Sequence, residues 1–285
     1  MKKRHVFVGQ YAPAMNLADM HVHTTRSDGT LTVDRALRAA QKRGLSGIVF
    51  ADHDDIGTGY AARERCARLG LPIEVIPCSE VSAKGAHILA FDVEDDIRPR
   101  LSISKTVDEI VRRGGWVGIP HPGSKLTPSV PFDEILAMAK AGLPVAVEVF
   151  NSSVEDFRLV ARWRGLPNSN LETRAFYEEH RDLLGPAIAG TDAHYRTLGR
   201  GAVAYHGDLR SALERRETSI VYTTEIERLT PWDLALHWHR LRRLRDRRAA
   251  TVAAWKVADQ GQELRDGLTS AEFVVLPTLE PLRQL

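Results

Sequence analysis

The sequence predicts an α/β fold in which short apolar strands alternate with helices. Its 285 residues are enough for one large α/β domain, or for a barrel with a small extension. A hydrophobic content of 43% and a charged content of 27% are typical of a globular protein with a buried core. Short connectors join the strands and helices, which is the pattern of a parallel sheet or a barrel.

The first predicted strand is an apolar lead-in that ends at His21-Val22-His23. Residues 31–43 have apolar side chains at helical spacing, with Thr32 as the N-cap and Gly44 as a stop signal. Residues 47–51 form a short apolar run between turn residues, which predicts a buried strand. The same reasoning predicts helices over 59–69, 103–113, 132–141, 154–164 and 171–184, and strands over 73–80, 87–91, 116–119, 145–150 and 187–190.

The last third of the chain predicts a small module and then a long helix. The module covers 202–222, with a strand, a helix and a second strand. The long helix begins at Pro231 and continues into the strongly basic segment 240–248. Three apolar side chains are spaced to pack on one face of it: Leu234, Trp238 and Leu241. We interpret the basic segment as a solvated helix face that docks on the rest of the fold or on a second subunit, and a clamp for an anionic substrate or nucleic acid is the less favoured alternative.

Charge and cysteine content indicate a protein of the reducing cytoplasm. The net charge of +2 is too small to indicate a nucleic-acid partner by itself. The only cysteines, Cys66 and Cys78, do not predict a disulfide framework. The apolar stretch near the N-terminus is too short for a signal peptide and is broken by Gly9 and Gln10. No stretch approaches the roughly 18 apolar residues of a membrane span. We expect a cytoplasmic protein without a membrane partner, and the sequence leaves the oligomeric state open.

Two histidines one residue apart end the first strand. Residues i and i+2 of a strand point to the same face, so His21 and His23 project side by side. Asp19 would lie behind them, and the following loop would bring Asp28 back beside them. Imidazoles next to a carboxylate are the ligands that divalent transition metals prefer. This stretch alone leaves two interpretations open, a metal site and a pair of surface histidines on an edge strand.

Histidines also follow later predicted strands. His53, His121 and His194 each lie in the turn after a strand. Active sites of parallel α/β folds lie at the carboxyl ends of the strands. A random scatter of eleven histidines would not place these three at the same edge as His23. The distribution therefore favours the metal site.

Five motifs, in this order along residues 17–200, resemble the PHP (polymerase and histidinol phosphatase) family: His21-Val22-His23 with Ser27-Asp28-Gly29, Asp52-His53-Asp54, Ser79-Glu80, Pro120-His121-Pro122 and Thr191-Asp192-Ala193-His194. The resemblance implies a distorted seven-stranded (β/α) barrel with two or three divalent metal ions, manganese, zinc or iron. It also implies hydrolysis of phosphate esters. The predicted domains are the barrel with the metal site at 15–200 and a C-terminal associated α/β region with the long basic helix at 201–285.

The resemblance also implies which residues hold the ions. The first ion would be held by His21, His23, Glu80 and Asp192. Glu80 would bridge to a second ion, held by His87 and His121. A third ion would be held by Asp28, His53 and His194. For His87, a core or loop histidine stays an alternative. Family members differ at the position of Asp28, where some have histidine, and this affects the third site.

A metal-activated hydroxide is the implied nucleophile. Candidates for proton transfer to the leaving oxygen are Asp28, His53 and His194, and sequence does not separate a metal ligand from an acid. Arginine suits bidentate phosphate contacts, so the candidate phosphate-binding residues are Arg26, Arg196 and Arg200. Asp19 is predicted to orient a ligand imidazole, or else to be a buried structural aspartate. Asn151 either contacts substrate or caps a turn.

The leading hypothesis is a metal-dependent phosphoesterase acting on a small phosphorylated metabolite or nucleotide. A histidinol-phosphate phosphatase is one alternative. A nuclease acting on short DNA or RNA is a second alternative, suggested by the basic helix, and a nucleic-acid partner is not favoured. A non-catalytic PHP binding module is the third, although no expected ligand is missing from the sequence.

Overall fold

The computed structural model describes residues 5–7, 12, 14–195, 198–223 and 230–269. The described strands, numbered along the chain, are β1 (His5–Phe7), β2 (Asn16–Val22), β3 (Gly47–Phe50), β4 (Glu74–Val75), β5 (Cys78–Ser82), β6 (His87–Phe91), β7 (Trp116–Ile119), β8 (Ala146–Asn151), β9 (Ala187–Gly190), β10 (Gly201–Tyr205) and β11 (Ser219–Tyr222). The described helices are α1 (Val33–Lys42), α2 (Gly57–Leu69), α3 (Ile103–Arg112), α4 (Phe132–Lys140), α5 (Ser152–Asp156), α6 (Arg158–Trp163), α7 (Ser169–His180), α8 (Leu209–Glu214) and α9 (Pro231–Thr269). The predicted α/β class is confirmed.

The strands form two sheets in the part of the chain that the structure describes. The first sheet has the order β1-β11-β10-β2-β3-β4, with β2, β3 and β4 parallel to one another. The second has the order β5-β6-β7-β8-β9. In it β6 runs antiparallel to both neighbours, whereas β7, β8 and β9 are parallel. The antiparallel β6 differs from the purely parallel pattern, because the short connection from β5 to β6 has no room for a crossover helix.

The two sheets meet along two seams that are joined by single bridges. At one seam Val22 pairs with Ala193, and at the other His53 pairs with Glu80. The described strands are thus hydrogen-bonded as two sheets, and a closed seven-stranded barrel is not found among them. The ladders stop at the seams because the chain leaves extended geometry there: Asp54 and Asp192 have φ values of +55° and +51°.

The predicted strand over 73–80 is two strands. Pro77 separates β4 from β5, and its missing N–H cannot join a ladder. The chain therefore leaves the first sheet after β4 and enters the second with β5. The predicted helix over 154–164 is also divided, into α5 and α6. The N-cap of α1 agrees with the prediction, since the Thr32 hydroxyl accepts from the Arg35 amide.

The core lies between the sheets and the helices that cover them. Its largest fully buried side chains include Tyr205, Phe50, Phe91 and Met20. Cys78 is fully buried within this core, and burial raises the pKa of its thiol. Cys78 is therefore a packing residue, as small apolar side chains on central strands are expected to be.

The segment after β9 extends the first sheet and then forms the long helix. β10 pairs with β2 and with β11, so the predicted module shares a sheet with β2, the strand that carries His21. The long helix α9 begins at Pro231, as predicted. Two members of the predicted packing face are exposed, Trp238 by 73% and Leu241 by 41%, whereas Leu244 is buried. The side chain of the third member, Leu234, lies outside the described part of the chain. Among the described helices, none combines the length and apolar character needed to cross a membrane.

Candidate metal centre

The structure brings all nine predicted metal ligands into one cluster at the ends of the central strands: His21, His23, Asp28, His53, Glu80, His87, His121, Asp192 and His194. His87 reaches this edge because β6 is antiparallel, so that its first residue lies where the parallel strands end. The cluster is largely enclosed, since His21 is fully buried and Glu80 is 1% exposed. A buried group of imidazoles and carboxylates needs bound cations or protons to balance it.

One group of donor atoms surrounds the two histidines of β2. The Nε2 atoms of His21 and His23 lie 3.1 Å apart. Asp192 Oδ1 lies 3.6 Å from the first Nε2 and 3.1 Å from the second. Glu80 approaches the same two nitrogens at 3.7 and 3.3 Å. The four side chains predicted for the first ion thus converge on one point.

Glu80 lies at the centre of the cluster and contacts several rings. Its Oε1 is 3.1 Å from His87 Nδ1 and 3.1 Å from His121 Nε2. Its Oε2 is 3.1 Å from His53 Nδ1. A carboxylate with both oxygens facing different imidazole groups has the arrangement of a bridging ligand.

Asp28 forms the third group. Its Oδ2 lies 3.2 Å from His194 Nε2 and 3.6 Å from His53 Nε2. Its Oδ1 lies 3.5 Å from His23 Nδ1. His53 therefore faces Glu80 with one ring nitrogen and Asp28 with the other, so it stands between the second and third groups.

The charges of the cluster shift the pKa values of its members. Burial raises the pKa of Glu80, Asp28 and Asp192, but the surrounding imidazoles outweigh burial and hold each pKa well below its usual range. Burial lowers the pKa of His23, yet hydrogen bonds to Asp192 and Glu80 raise it to about 10. Burial dominates for His53, and its pKa is lowered well below the usual value. The carboxylates are therefore ionised, which is the state that binds a cation.

The donor set fits divalent metal ions. Ligand atoms about 2.0–2.2 Å from one ion lie about 3.0–3.5 Å from each other, which is the spacing of the nitrogens and oxygens here. Three subsets have donor atoms within 4.8 Å of one another: His23, Asp28, His53 and His194; His21, His23 and Asp192; His53, Glu80 and His87. The 3.1 Å contact of His53 Nδ1 with Glu80 Oε2 lacks hydrogen-bond geometry, so this buried nitrogen is available to a cation.

Glu148 is part of this site and was not predicted. It lies on β8, is 1% exposed, and its Oε1 is 3.2 Å from His21 Nδ1. Its Oε2 accepts from the backbone N–H of His121 and from Asn151 Nδ2, both at 2.8 Å. At this contact the carboxylate of Glu148 would accept a hydrogen from His21 Nδ1, which leaves Nε2 as the ring atom that faces the cluster. A glutamate inside an apolar strand is the sequence signal that could have identified it.

Asp19 does not orient an imidazole. Its carboxylate accepts from the backbone N–H and the hydroxyl of Thr191 and from the backbone N–H of Gly199. It is therefore the buried structural aspartate of the second interpretation, and it fixes the loop that carries Asp192. The carboxylate that contacts the His21 ring is instead that of Glu148 on β8.

Asn151 is a cap. Its Oδ1 accepts from the Val154 N–H at the start of α5. Its Nδ2 donates to Glu148 and, at 3.2 Å, to Asp192 Oδ2. The turn-capping interpretation is therefore correct, and the same side chain also links two carboxylates of the site.

Backbone geometry at two ligands is strained. His121 and Asp192 have φ values of +33° and +51°, a region that non-glycine residues seldom occupy. Beside them, Gly190 leaves no space for a side chain, because a Cβ there would lie 2.4 Å from the Cβ of His21 and 2.9 Å from Glu148 Oε1. These contacts hold the ligand side chains in a closely packed frame.

Two of the predicted phosphate-binding arginines are described, and each pairs with an acidic side chain. Arg26 is exposed and pairs with Asp55 at 2.9 Å. Arg200 is 7% exposed, and its guanidinium pairs with both oxygens of Asp156. Arg196 lies outside the described residues.

A cavity of about 550 Å³ opens beside the metal ligands. Its lining includes Asp28, His53, Glu80, His87, His121, Asp192 and His194. Apolar side chains, among them Phe157, Val160 and Leu241, line the other wall. The volume falls within the roughly 300–1,000 Å³ of small-ligand pockets. The metal ligands thus face a space that accommodates a small molecule.

Six imidazoles and three carboxylates thus surround one buried region of an α/β fold. No model of a protein family matches the chain. A solved two-domain protein of Bacteroides vulgatus, named as containing a predicted PHP-like metal-dependent phosphoesterase, is similar in fold. Its TM-score is 0.56 and its identity 18%, over 84% of this chain and 74% of that one.

Two curated proteins are also similar in sequence. A phosphoribosyl 1,2-cyclic phosphate 1,2-diphosphodiesterase of Eggerthella lenta is 39% identical over 85 residues, which are 28% of this chain and 32% of that protein. The 5'-3' exoribonuclease Rnm of Salmonella typhimurium is 24% identical over 194 residues, which are 66% of this chain and 55% of that protein. The chain thus spans about a third and about half of these relatives. The predicted resemblance to PHP-like phosphoesterases is confirmed.

Proposed function

We propose that the protein is a metal-dependent hydrolase that cleaves the phosphate ester of a small phosphorylated metabolite or nucleotide. The observation that carries the proposal is the buried histidine and carboxylate cluster facing a cavity of about 550 Å³. We assign two or three divalent ions, of manganese, zinc or iron, to the ligand groups described above. Such ions activate water at neutral pH and offset the negative charge of the phosphate.

The chain's own residues prepare the centre for this chemistry. Glu148 holds His21 in the tautomer that presents Nε2 to the cluster. Asn151 holds Asp192 and Glu148 at a fixed separation. Because these partners are buried, the ligand side chains are ordered before substrate arrives, and little reorganisation is needed.

We assign the proton donor to the third group. His194 lines the cavity, and the carboxylate of Asp28 outweighs burial and raises the pKa of its imidazole. If the third group holds no ion, a protonated His194 beside Asp28 would be placed to donate its proton to the leaving oxygen. With three ions bound, the same two side chains and His53 serve as ligands. The number of ions per chain separates the two arrangements.

We also infer the finer architecture that the resemblance implies. Strands β2, β3 and β5 to β9 follow one another around the site, and single bridges join them at the two seams. This succession supports a distorted seven-stranded barrel. The division into 15–200 and 201–285 stays a proposal, with β10 and β11 attached to the barrel strand β2.

The test is a metal analysis followed by a screen of phosphorylated compounds. We expect at least one equivalent of metal per chain, and hydrolysis that a chelator abolishes and added metal restores. Asp192→Ala is expected to remove activity, whereas Asp182→Ala, on the surface turn after α7, leaves it intact. Less than one equivalent of metal, together with no hydrolysis after addition of manganese, zinc or iron, contradicts the proposal.

A nuclease is the second candidate, because one relative is named as an exoribonuclease and α9 is basic. Cleavage of short oligonucleotides, with binding that weakens steeply as salt is raised, would favour it. Histidinol phosphate belongs in the same screen as a candidate small substrate. A non-catalytic module has the least support, because every predicted ligand lies in the cluster.

A further inference from the structure

Helix α9 lies against the metal cavity and contributes part of its wall. Leu241, Leu244 and Arg248 line the cavity that also contains Asp28 and His53. Leu244 is 5% exposed, so this face of the helix is packed and not solvated. Residues four apart lie on one face of a helix, and Arg240, Leu244 and Arg248 follow that spacing. Arg248 thus lines the site, and Arg240 lies on the same face of the basic helix.

Arg248 is held at the rim of the centre. Its Nε donates to Asp54 Oδ2 at 3.0 Å, and Asp54 directly follows the candidate ligand His53. Asp54 is itself fixed, since it accepts from the backbone N–H and the hydroxyl of Ser82 at 2.7 and 2.9 Å. The Nη2 atom of Arg248 is buried and has no hydrogen-bond partner. A buried guanidinium N–H without an acceptor is costly, so this position needs one.

Arg240 repeats the pattern two turns earlier. Its Nε is buried and also lacks a hydrogen-bond partner. Burial and the neighbouring Arg243 lower the pKa of Arg240, and the carboxylate of Asp28 opposes that change. Arg240 therefore lies within electrostatic reach of the candidate third group. Two buried guanidinium groups with unmet donors lie on one face of α9, and one of them lines the cavity, so an anionic acceptor fits this face.

We propose that Arg248 and Arg240 bind the non-ester oxygens of the substrate phosphate, so that α9 completes the phosphate-binding site. This inference rests on the proposed function and deepens it. A phosphate monoester has one more non-ester oxygen than a diester, so it can contact the metal centre and the guanidinium groups together. The apolar wall of Phe157, Val160 and Leu241 receives the organic part. The substrate class is therefore a monoester of about nucleotide size with an apolar or aromatic group.

The first test measures binding of inorganic phosphate to the full-length, metal-loaded protein by isothermal titration calorimetry. Arg248→Met is expected to weaken phosphate binding about tenfold or more, because it removes a charge-assisted hydrogen bond. Arg245→Met removes the same charge from an exposed position of the same helix, and it is the matched control. Equal phosphate affinity in both variants overturns the inference.

The second test uses a monoester and a diester of p-nitrophenol. We expect Arg248→Met to raise KM for the monoester about tenfold with a smaller change in kcat, and to leave the metal content unchanged. Arg240→Met should act in the same direction, and an unchanged KM there would remove Arg240 from the site. A wild-type preference for the diester would contradict the substrate class.

Folding and function are separated by two further measurements. If Arg248→Met does not fold, Arg248→Lys is the second variant. It keeps the positive charge but lacks the paired N–H donors of a guanidinium, so it should fold and bind phosphate several-fold more weakly than the wild type. If the wild type hydrolyses nothing, the proposed function fails, while the calorimetric comparison still decides the role of Arg248. The role of Arg248 in phosphate binding is therefore tested independently of turnover.

Discussion

Replacing Glu148 with glutamine tests how the site selects the metal-binding tautomer. Glu148 uses Oε1 towards His21 Nδ1 and Oε2 towards the His121 N–H and Asn151 Nδ2, so both oxygens accept from donors. In Glu148→Gln one oxygen becomes an NH2 group of nearly the same size. Whichever way the amide is turned, its NH2 group faces at least one donor.

The magnitude follows from these contacts. Leaving a buried donor unsatisfied costs about 1–3 kcal/mol of folding stability. If the amide nitrogen faces His21, the imidazole moves its hydrogen to Nε2 and loses the lone pair that faces Asp192. Loss of an outer partner of a metal ligand lowers metal affinity by about 10- to 100-fold. We therefore expect a folded variant that binds its ions weakly.

The assay is a titration of the metal-free protein with zinc or manganese, read by calorimetry, together with denaturant unfolding. The matched control is Glu155→Gln, because Glu155 is also a buried glutamate and pairs with Arg158 at 2.6 Å. That variant should lose stability while keeping wild-type metal affinity. If Glu148→Gln binds metal as tightly as the wild type does, the assigned tautomer and the role of Glu148 are wrong.

Three further outcomes are expected. Gly190→Ala places a Cβ 2.4 Å from that of His21, so it should lower the free energy of unfolding by about 1–3 kcal/mol. It should also reduce the metal content, and denaturant unfolding and metal analysis of one purified sample measure both effects. The second outcome concerns pH and is measured in the presence of a chelator. The stability that protonated His23 contributes is complete below pH 6.5 and is lost as pH rises towards its folded-state pKa of about 10. The thermal unfolding temperature should therefore fall over that interval, and a flat profile contradicts the raised pKa. Arg200→Met removes the guanidinium that pairs with Asp156 and should destabilise the fold by about 3 kcal/mol, with KM for phosphate esters unchanged. A raised KM would support Arg200 as a phosphate contact.

Local sequence signals predicted most of the elements. Apolar periodicity and caps located α1, α3 and β6 to within a residue or two, because those signals act within a few residues. The same signals did not predict the break at Pro77 as a change of sheet. That outcome depends on which strand each half pairs with, and pairing partners are distant in the chain.

The candidate ligands could be predicted from the sequence for a similar reason. Histidines and carboxylates at strand ends, such as His21 and Asp192, form short motifs that can be read in order. Glu148 was missed because its role is to contact a histidine 127 residues earlier in the chain. The sequence left two roles open for Asp19, because the period of a strand states which face a side chain shares and not which group it meets there.

The sequence by itself determined the α/β class, the residues available as metal ligands, and the presence of a long basic helix. Only the tertiary structure decided that β6 runs antiparallel and brings His87 to the cluster. It also decided that Arg200 pairs with Asp156 and that Arg248 reaches the metal cavity. The physical reason is that side-chain type and local spacing are properties of the chain, whereas partners depend on how distant segments pack.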